Sequence, residues 1–408
     1  MPDPMRTPPD STFGSRVRRA RERKGQTRSV LAGLVGRSAE WVKAIETGRL
    51  QAPRLPLLLR MADALGIEDL AELTGNERLT AATYTKTAHS SLDSVKQALT
   101  SYRFCRGDEE PCTPAELDTR LRHAWHMWHS PGPHRTRIAQ VLPDLLRDTQ
   151  HAARTLEGRQ RRQALVALAQ TYHLAQLFLA YQPTPELVYL TGDRSMNAAQ
   201  DADSPHAIAA AAWYMNHVFR SGGERNEARI ELTMRAAELL QPSRDTEDQA
   251  LWGLMHLAAA LSYAKSGSKG DAERHWDRAD EAARRLGEGY VHPWLLFGRG
   301  VVDAYAITMK VDLMRGREAV ETVGRVDLSA IPSATRRSGH LIESARAHSM
   351  QGESVAVVHL LKKAVTASPE TARFNLFARS AVTELRETAG PMIRDDVTLL
   401  SQELGIPA

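Results

Sequence analysis

Residues 27–49 read TRSVLAGLVGRSAEWVKAIETGR, and this stretch restricts the fold more than any other. Thr27 stands where an N-cap oxygen would take up a free helical N–H, and Gly36 offers the left-handed turn that ends a helix. Ser38 repeats the cap, and Gly48 repeats the stop. The spacing therefore predicts helices over Thr27–Val35 and Ser38–Glu46, joined by a turn of two residues. Leu31, Val35, Val42 and Ile45 recur at helical spacing and pin the two helices against each other. The first half of the second helix, with Ala39, Glu40, Trp41 and Lys43, is left facing outward.

The flanks extend the pattern into a small domain. Helical runs are expected over Phe13–Lys24, ending at Gly25, and over Leu55–Leu65, ending at Gly66, with a short helical turn at Ile67–Leu73. Phe13, Val17, Leu58 and Leu65 join the four apolar residues above in one core. Residues 1–60 hold thirteen basic side chains against five acidic ones, a net +8 in a chain of net +4, so the remainder is −4. A basic head on a slightly acidic body is the distribution expected when the head meets a polyanion.

The ungapped stretch Thr27–Arg49 resembles the helix-turn-helix of the xenobiotic-response-element (XRE) type, the group of the lambda and 434 repressors. Leu31-Ala32, Gly36, Val42, Ile45 and the closing Glu46-Thr47-Gly48-Arg49 carry the likeness. It implies a five-helix lambda-repressor-like DNA-binding domain over residues 13–75, with residues 1–12 disordered. It further implies that Arg28, Ala39, Glu40 and Lys43 face base edges in a major groove about 12 Å wide. Arg28 would hold guanine O6/N7, Glu40 a cytosine amino group, and Ala39 a thymine methyl. Thr27, Arg37, Arg49 and Arg54 would meet the sugar–phosphate backbone, Trp41 would either pack on Arg37 and that backbone or cover the head's own core, and Glu46, at the far end of the helix, reads as structural. Where these repressors often carry glutamines this chain has Arg28, Ala39 and Glu40, so their operator does not transfer.

Residues 76–113 read as a linker, partly helical around Leu92–Ser101. From Pro114 to the end the pattern is amphipathic helix after amphipathic helix, broken at 131–133, 183–185, 205, 222–223, 242, 267, 293, 332, 352 and 369, with no strand-like alternation. The fold class is all-α. A repeated unit runs Ala260, Tyr263, Gly267, Ala272, Trp276, Ala279, and again Ala345, His348, Gly352, Val357, Leu361, Ala364; weaker turns fall at Gly223 and Gly316. These resemble tetratricopeptide repeats, at longer and less regular spacing, and imply a solenoid over residues 114–408.

A helix-turn-helix head on such a body is similar to peptide-sensing regulators of Gram-positive bacteria and to actinobacterial regulators; the excess of Arg over Lys, 44 to 9, fits a GC-rich coding bias. The likeness implies a homodimer bound to an inverted repeat of double-stranded DNA, with a peptide, small molecule or protein in the solenoid groove. Asn216, Arg220 and Trp213, with Asn197, Arg162 and Asn375, are the candidate ligand contacts, since Asn pairs with peptide backbone and Arg with carboxylate.

No nucleophile–base set, phosphate loop or metal motif accompanies these residues, so no enzyme and no cofactor is expected. His123, His126 and His129 do not make a recognised ligand set with Cys105 and Cys112, which read as free thiols. No apolar run is long enough to span a membrane and no signal peptide precedes the head, so a cytoplasmic protein is expected. The alternative is a protein-interaction scaffold in which the head serves recruitment or dimerisation.

Overall fold

The computed structural model describes residues 12–50, 52–53, 55–75, 86–102, 110–222 and 226–406, with only the backbone of 218–222 and 226. No strand occurs among them. Five helices form the head: α1 (Phe13–Arg23), α2 (Arg28–Val35), α3 (Ala39–Glu46), α4 (Leu55–Leu65) and α5 (Ala71–Thr74). Thr12 caps α1, so of the segment expected to be disordered, residues 1–11 alone lie outside the described residues.

Val17, Leu31, Val35, Val42, Ile45, Leu58 and Leu65 are all buried in a core separate from that of the body, and Phe13 packs on it half-buried. Each fully buried Leu or Val adds about 1.5–3 kcal/mol, which a domain this small needs. Helix α1 crosses α3 very closely at Gly14, where a β-carbon would lie 2.2 Å from the Ile45 carbonyl oxygen. The fifth helix is shorter than the expected Ile67–Leu73. The Ile67 N–H folds back to Ala62 O, and Asp69 Oδ1 takes the Ala71 N–H at 2.8 Å, so the helix starts only at Ala71.

The body starts with α6 (Leu92–Thr100), whose Leu92, Val95 and Leu99 are buried in the body's core. Next come α7 (Pro114–His129), α8 (His134–Thr155), α9 (Gly158–Leu179), α10 (Pro185–Asp201), α11 (Pro205–Gly222) and α12 (Asn226–Glu238). The chain continues through α13 (Thr246–Ser266), α14 (Lys269–Leu286), α15 (Arg299–Asp312), α16 (Gly316–Val323), α17 (Ala334–Ser349) and α18 (Ser354–Ala367), then α19 (Pro369–Phe374), α20 (Leu376–Thr388) and α21 (Arg394–Glu403). Pro stands in the first turn of α7, α10 and α19, where its missing N–H costs nothing. Gly267 and Gly352, central to the two repeated units, both take positive φ at the turns α13–α14 and α17–α18. Gly223 lies outside the described residues, and near Gly316 the chain reverses at Met314, just before α16.

Consecutive helices pack as pairs, and alternate helices pack side by side in the series α7, α9, α11, α13, α15, α17. That order is what stacked helical hairpins produce. The series then returns on itself, because α17 packs against α7. His129 Nδ1 lies 2.9 Å from Ser333 Oγ at this closure. Glu370 on α19 accepts from the Arg135 N–H at 2.6 Å and from Thr136 Oγ1 at 2.6 Å, tying the start of α8 to the end of the series. The solenoid is therefore closed into a ring. No helix among the described residues is long and apolar enough to cross a membrane.

Candidate nucleic-acid interface

Local chemistry sets the two helices that matter. Thr27 Oγ1 accepts from the Val30 N–H at 3.2 Å and starts α2; Gly36, at φ 65°, ends it. Ser38 Oγ accepts from the Trp41 N–H at 3.1 Å and starts α3. Both caps stand where the sequence placed them, and the buried Leu31, Val35, Val42 and Ile45 lock the crossing.

The far end of α3 is fixed by charge. The Glu46 carboxylate is buried and accepts from Arg21 Nε at 2.5 Å and from Arg28 Nε at 2.7 Å. Arg21 is itself buried and also donates to the Gln26 carbonyl, so this is an internal ion pair whose partners satisfy each other. Arg28 differs: its side chain is 39% exposed, and Glu46 is the one described partner of its guanidinium. Its Nε is anchored on Glu46 Oε2 while more than a third of the side chain stays open to solvent. A guanidinium held by one edge is pre-organised to offer the other to a base or a phosphate.

On the outer face of α3, Ala39 is half-buried while Glu40 and Lys43 are exposed. Glu40 lies 3.7 Å from Lys43 Nζ and 4.0 Å from Arg49 Nη2, loose surface pairs that dissolve when a stronger partner arrives. Glu40, Lys43 and Arg49 thus gather on one face, while Arg28 is held at the far end of α3 by Glu46. Trp41 sits half-buried against the head core with the Arg37 guanidinium 5.8 Å above its ring, and Arg37 also donates to Gly36 O. Arg54 lies outside the described residues.

One further contact involves this face. Ser38 is only 7% exposed, and a β-carbon added to Gly267 would come within 2.5 Å of the Ser38 β-carbon. The leading end of α3 therefore rests on the α13–α14 turn of the body. No sequence signal pairs residue 38 with residue 267.

The candidate ligand residues of the body whose side chains are described do not converge on one site. Asn216, 2% exposed, donates to Ser262 Oγ at 2.9 Å, joining α11 to α13, and Trp213 is buried on the same helix. The Arg220 side chain lies outside the described residues. Asn197 is exposed on α10 and donates to Asp193 at 3.1 Å; Arg162 is exposed near the start of α9. Asn375 caps α20, accepting from the N–H groups of Phe377 and Ala378. Cys112 is a free thiol and Cys105 lies outside the described residues.

No curated protein matches the chain. Among solved structures it is similar to the crystal structure of ComR from S. thermophilus in complex with DNA and its signalling peptide ComS, at 12% identity and a TM-score of 0.27, over 87% of this chain and 99% of that one. Residues 12–74, the five-helix head, match the family of helix-turn-helix domains.

Proposed function

We propose that the chain is a non-enzymatic, sequence-specific DNA-binding transcriptional regulator. Helix α3 enters the major groove with Ala39, Glu40 and Lys43 at base edges, and Arg28 reads from the first turn of α2. Thr27, Arg37, Trp41, Arg49 and Arg54 hold the phosphates and supply the salt-dependent part of the affinity. One short helix gives little contact, so the active species is a homodimer on an inverted repeat, assembled through the helical body. The observation that carries the reading is a part-exposed Arg28 anchored at Nε by Glu46, on a head whose α3 also presents Glu40 and Lys43 beside Arg49.

The body senses a ligand in this reading. Because the leading end of α3 rests on Gly267, the head has to leave that turn before α3 can sink into a groove, and a ligand that favours the released arrangement raises DNA affinity.

Selection of sites from a random DNA pool, by the full chain and by residues 1–78, tests both parts. An inverted repeat whose binding weakens steeply with salt is expected, recovered more readily by the fragment's head than by the unliganded full chain. Enrichment by neither protein refutes the regulator and leaves the scaffold; equal affinity of both for one half-site refutes the gating.

A further inference from the structure

The ring of alternate helices encloses a cluster of aromatic and polar side chains. Tyr214 on α11, Tyr305 on α15 and His340 on α17 are buried, and Arg336, one turn before His340, donates to Tyr305 Oη at 2.7 Å. The Tyr305 and His340 rings meet edge-on at 4.8 Å. His173 on α9 stacks on Tyr214 at 4.4 Å. Into this group the connector 287–298 inserts Trp294, which lies parallel to Tyr214 at 6.4 Å and stacks on Trp125 of α7 at 4.9 Å. Five helices and one connector meet here.

Two properties set the cluster apart from an ordinary core. Tyr214 Oη, His173 Nδ1 and both ring nitrogens of His340 are buried and meet no hydrogen-bonding protein atom among the described residues. Buried polar groups are nearly always satisfied, so four such atoms in one basin point to a partner outside the chain. Arg336 pairs with no carboxylate among the described residues; Tyr305 Oη is the described acceptor of its guanidinium. Burial lowers His129 to about 4 and His173 and His340 to about 3, so these imidazoles are neutral at pH 7 and Arg336 carries the positive charge. The floor is buried, while His129, Trp294 and Arg336 form a partly exposed rim.

We propose that this basin binds a compact aromatic anion, its ring stacking in the place of the Trp294 indole and its acidic group held by the Arg336 guanidinium. Tyr214 Oη and His340 complete the hydrogen bonds. A planar ring matches stacking faces already spaced for an indole, and a fork of N–H donors without a carboxylate matches an anionic group. Trp294 is suited to be displaced, being carried by a connector and not by a helix, its carbonyl held by His129 Nε2 at 3.1 Å.

The inference rests on the sensor reading, and its test is kept apart from DNA. Calorimetric titration of the DNA-free full chain uses benzoate, indole-3-carboxylate and naphthalene-2-carboxylate, each beside its carboxamide. At least one carboxylate is expected to bind one to one, about tenfold or more tighter than its amide. Arg336→Met should erase that preference, and Trp294→Ala should strengthen binding. Should Arg336→Met lose its helical circular dichroism, Arg336→Lys replaces it and should narrow the preference. No binding at millimolar concentration, equal binding of acid and amide, or a preference untouched by the Arg336 variant overturns the proposal. Loss of DNA selection alone leaves it standing, and its failure leaves the DNA reading standing.

Discussion

A single methyl group tests the α1–α3 crossing. Gly14→Ala lies within a helix, where Ala is ordinarily better than Gly by up to about 1 kcal/mol. Propensity alone therefore predicts a more stable head. The structure predicts the reverse, because the new β-carbon would stand 2.2 Å from Ile45 O and 2.9 Å from Glu46 O, both backbone atoms that no rotamer change can move. Ordinary contact requires α1 to back away from α3 by about 1 Å or more. Overpacking of this kind costs about 1–3 kcal/mol, which outweighs the propensity gain. The strain also falls on the carbonyl that accepts the Gly48 N–H and on the residue that anchors Arg28. The head has its own core, so thermal unfolding of residues 1–78 by circular dichroism is the assay. With 1 kcal/mol equal to about 4–8 °C for a domain of this size, a fall of roughly 8–16 °C corresponds to about 2 kcal/mol. Gly33→Ala is the internal control: it sits on the exposed side of α2 with nothing within 4 Å of its β-carbon, and should raise Tm by a few degrees. If Gly14→Ala raises Tm as Gly33→Ala does, the close crossing is wrong.

Arg28→Ala should lower affinity for the selected site far more than for random DNA, by about 1–3 kcal/mol on the specific complex, while Arg49→Ala should weaken both about equally and flatten the salt slope. Equal losses for the two variants on both DNAs, read by fluorescence anisotropy, would exchange or cancel their roles. Stability should fall as pH drops from 6.5 toward 4. Burial holds His129 and His292 down to about 4 and His173 and His340 to about 3, so the unfolded chain takes up protons over a range where the folded chain does not. Proton uptake then favours unfolding; the stabilisation is complete above the unfolded value near 6.5 and is lost below it, at about 1 kcal/mol per group per pH unit. A Tm of the full chain unchanged between pH 7 and pH 5 would mean that these imidazoles are not buried.

The head was legible because its determinants are local. Thr27 and Ser38 cap helices that begin at the next residue, and Gly36 stops a helix within the same ten residues. Leu31, Val35, Val42 and Ile45 reveal their common face through spacing alone. The one misplaced boundary, at α5, turned on a side-chain bond from Asp69 that competes with the helix it precedes. Helix α6 is instructive in another way. Its Leu92, Val95 and Leu99 follow helical spacing as well as any core stripe does, but the Ser- and Thr-rich residues around them read as linker, and only the body's packing shows where that stripe is spent.

The body's interior was not legible, and the reason is contact order rather than weak patterning. Asn216 looked available because nothing within four residues satisfies it; its partner, Ser262, is 46 residues away on the next helix of the ring. His173 is completely buried, as its place in an apolar stripe allows, yet what matters is that its unpaired Nδ1 joins the unpaired Tyr214 Oη and His340 nitrogens across three helices. Arg336 and Tyr305 are 31 residues apart, and Trp294 arrives on a connector with no periodicity at all. A helical stripe encodes which side of a helix is inside; it does not encode which stripes meet. In an open solenoid each stripe meets those of its sequence neighbours, so a site on the concave face can be guessed repeat by repeat. Closure of α17 onto α7 brings together residues from opposite ends of the helical series, and a site built on that closure belongs to the ring and to no single repeat.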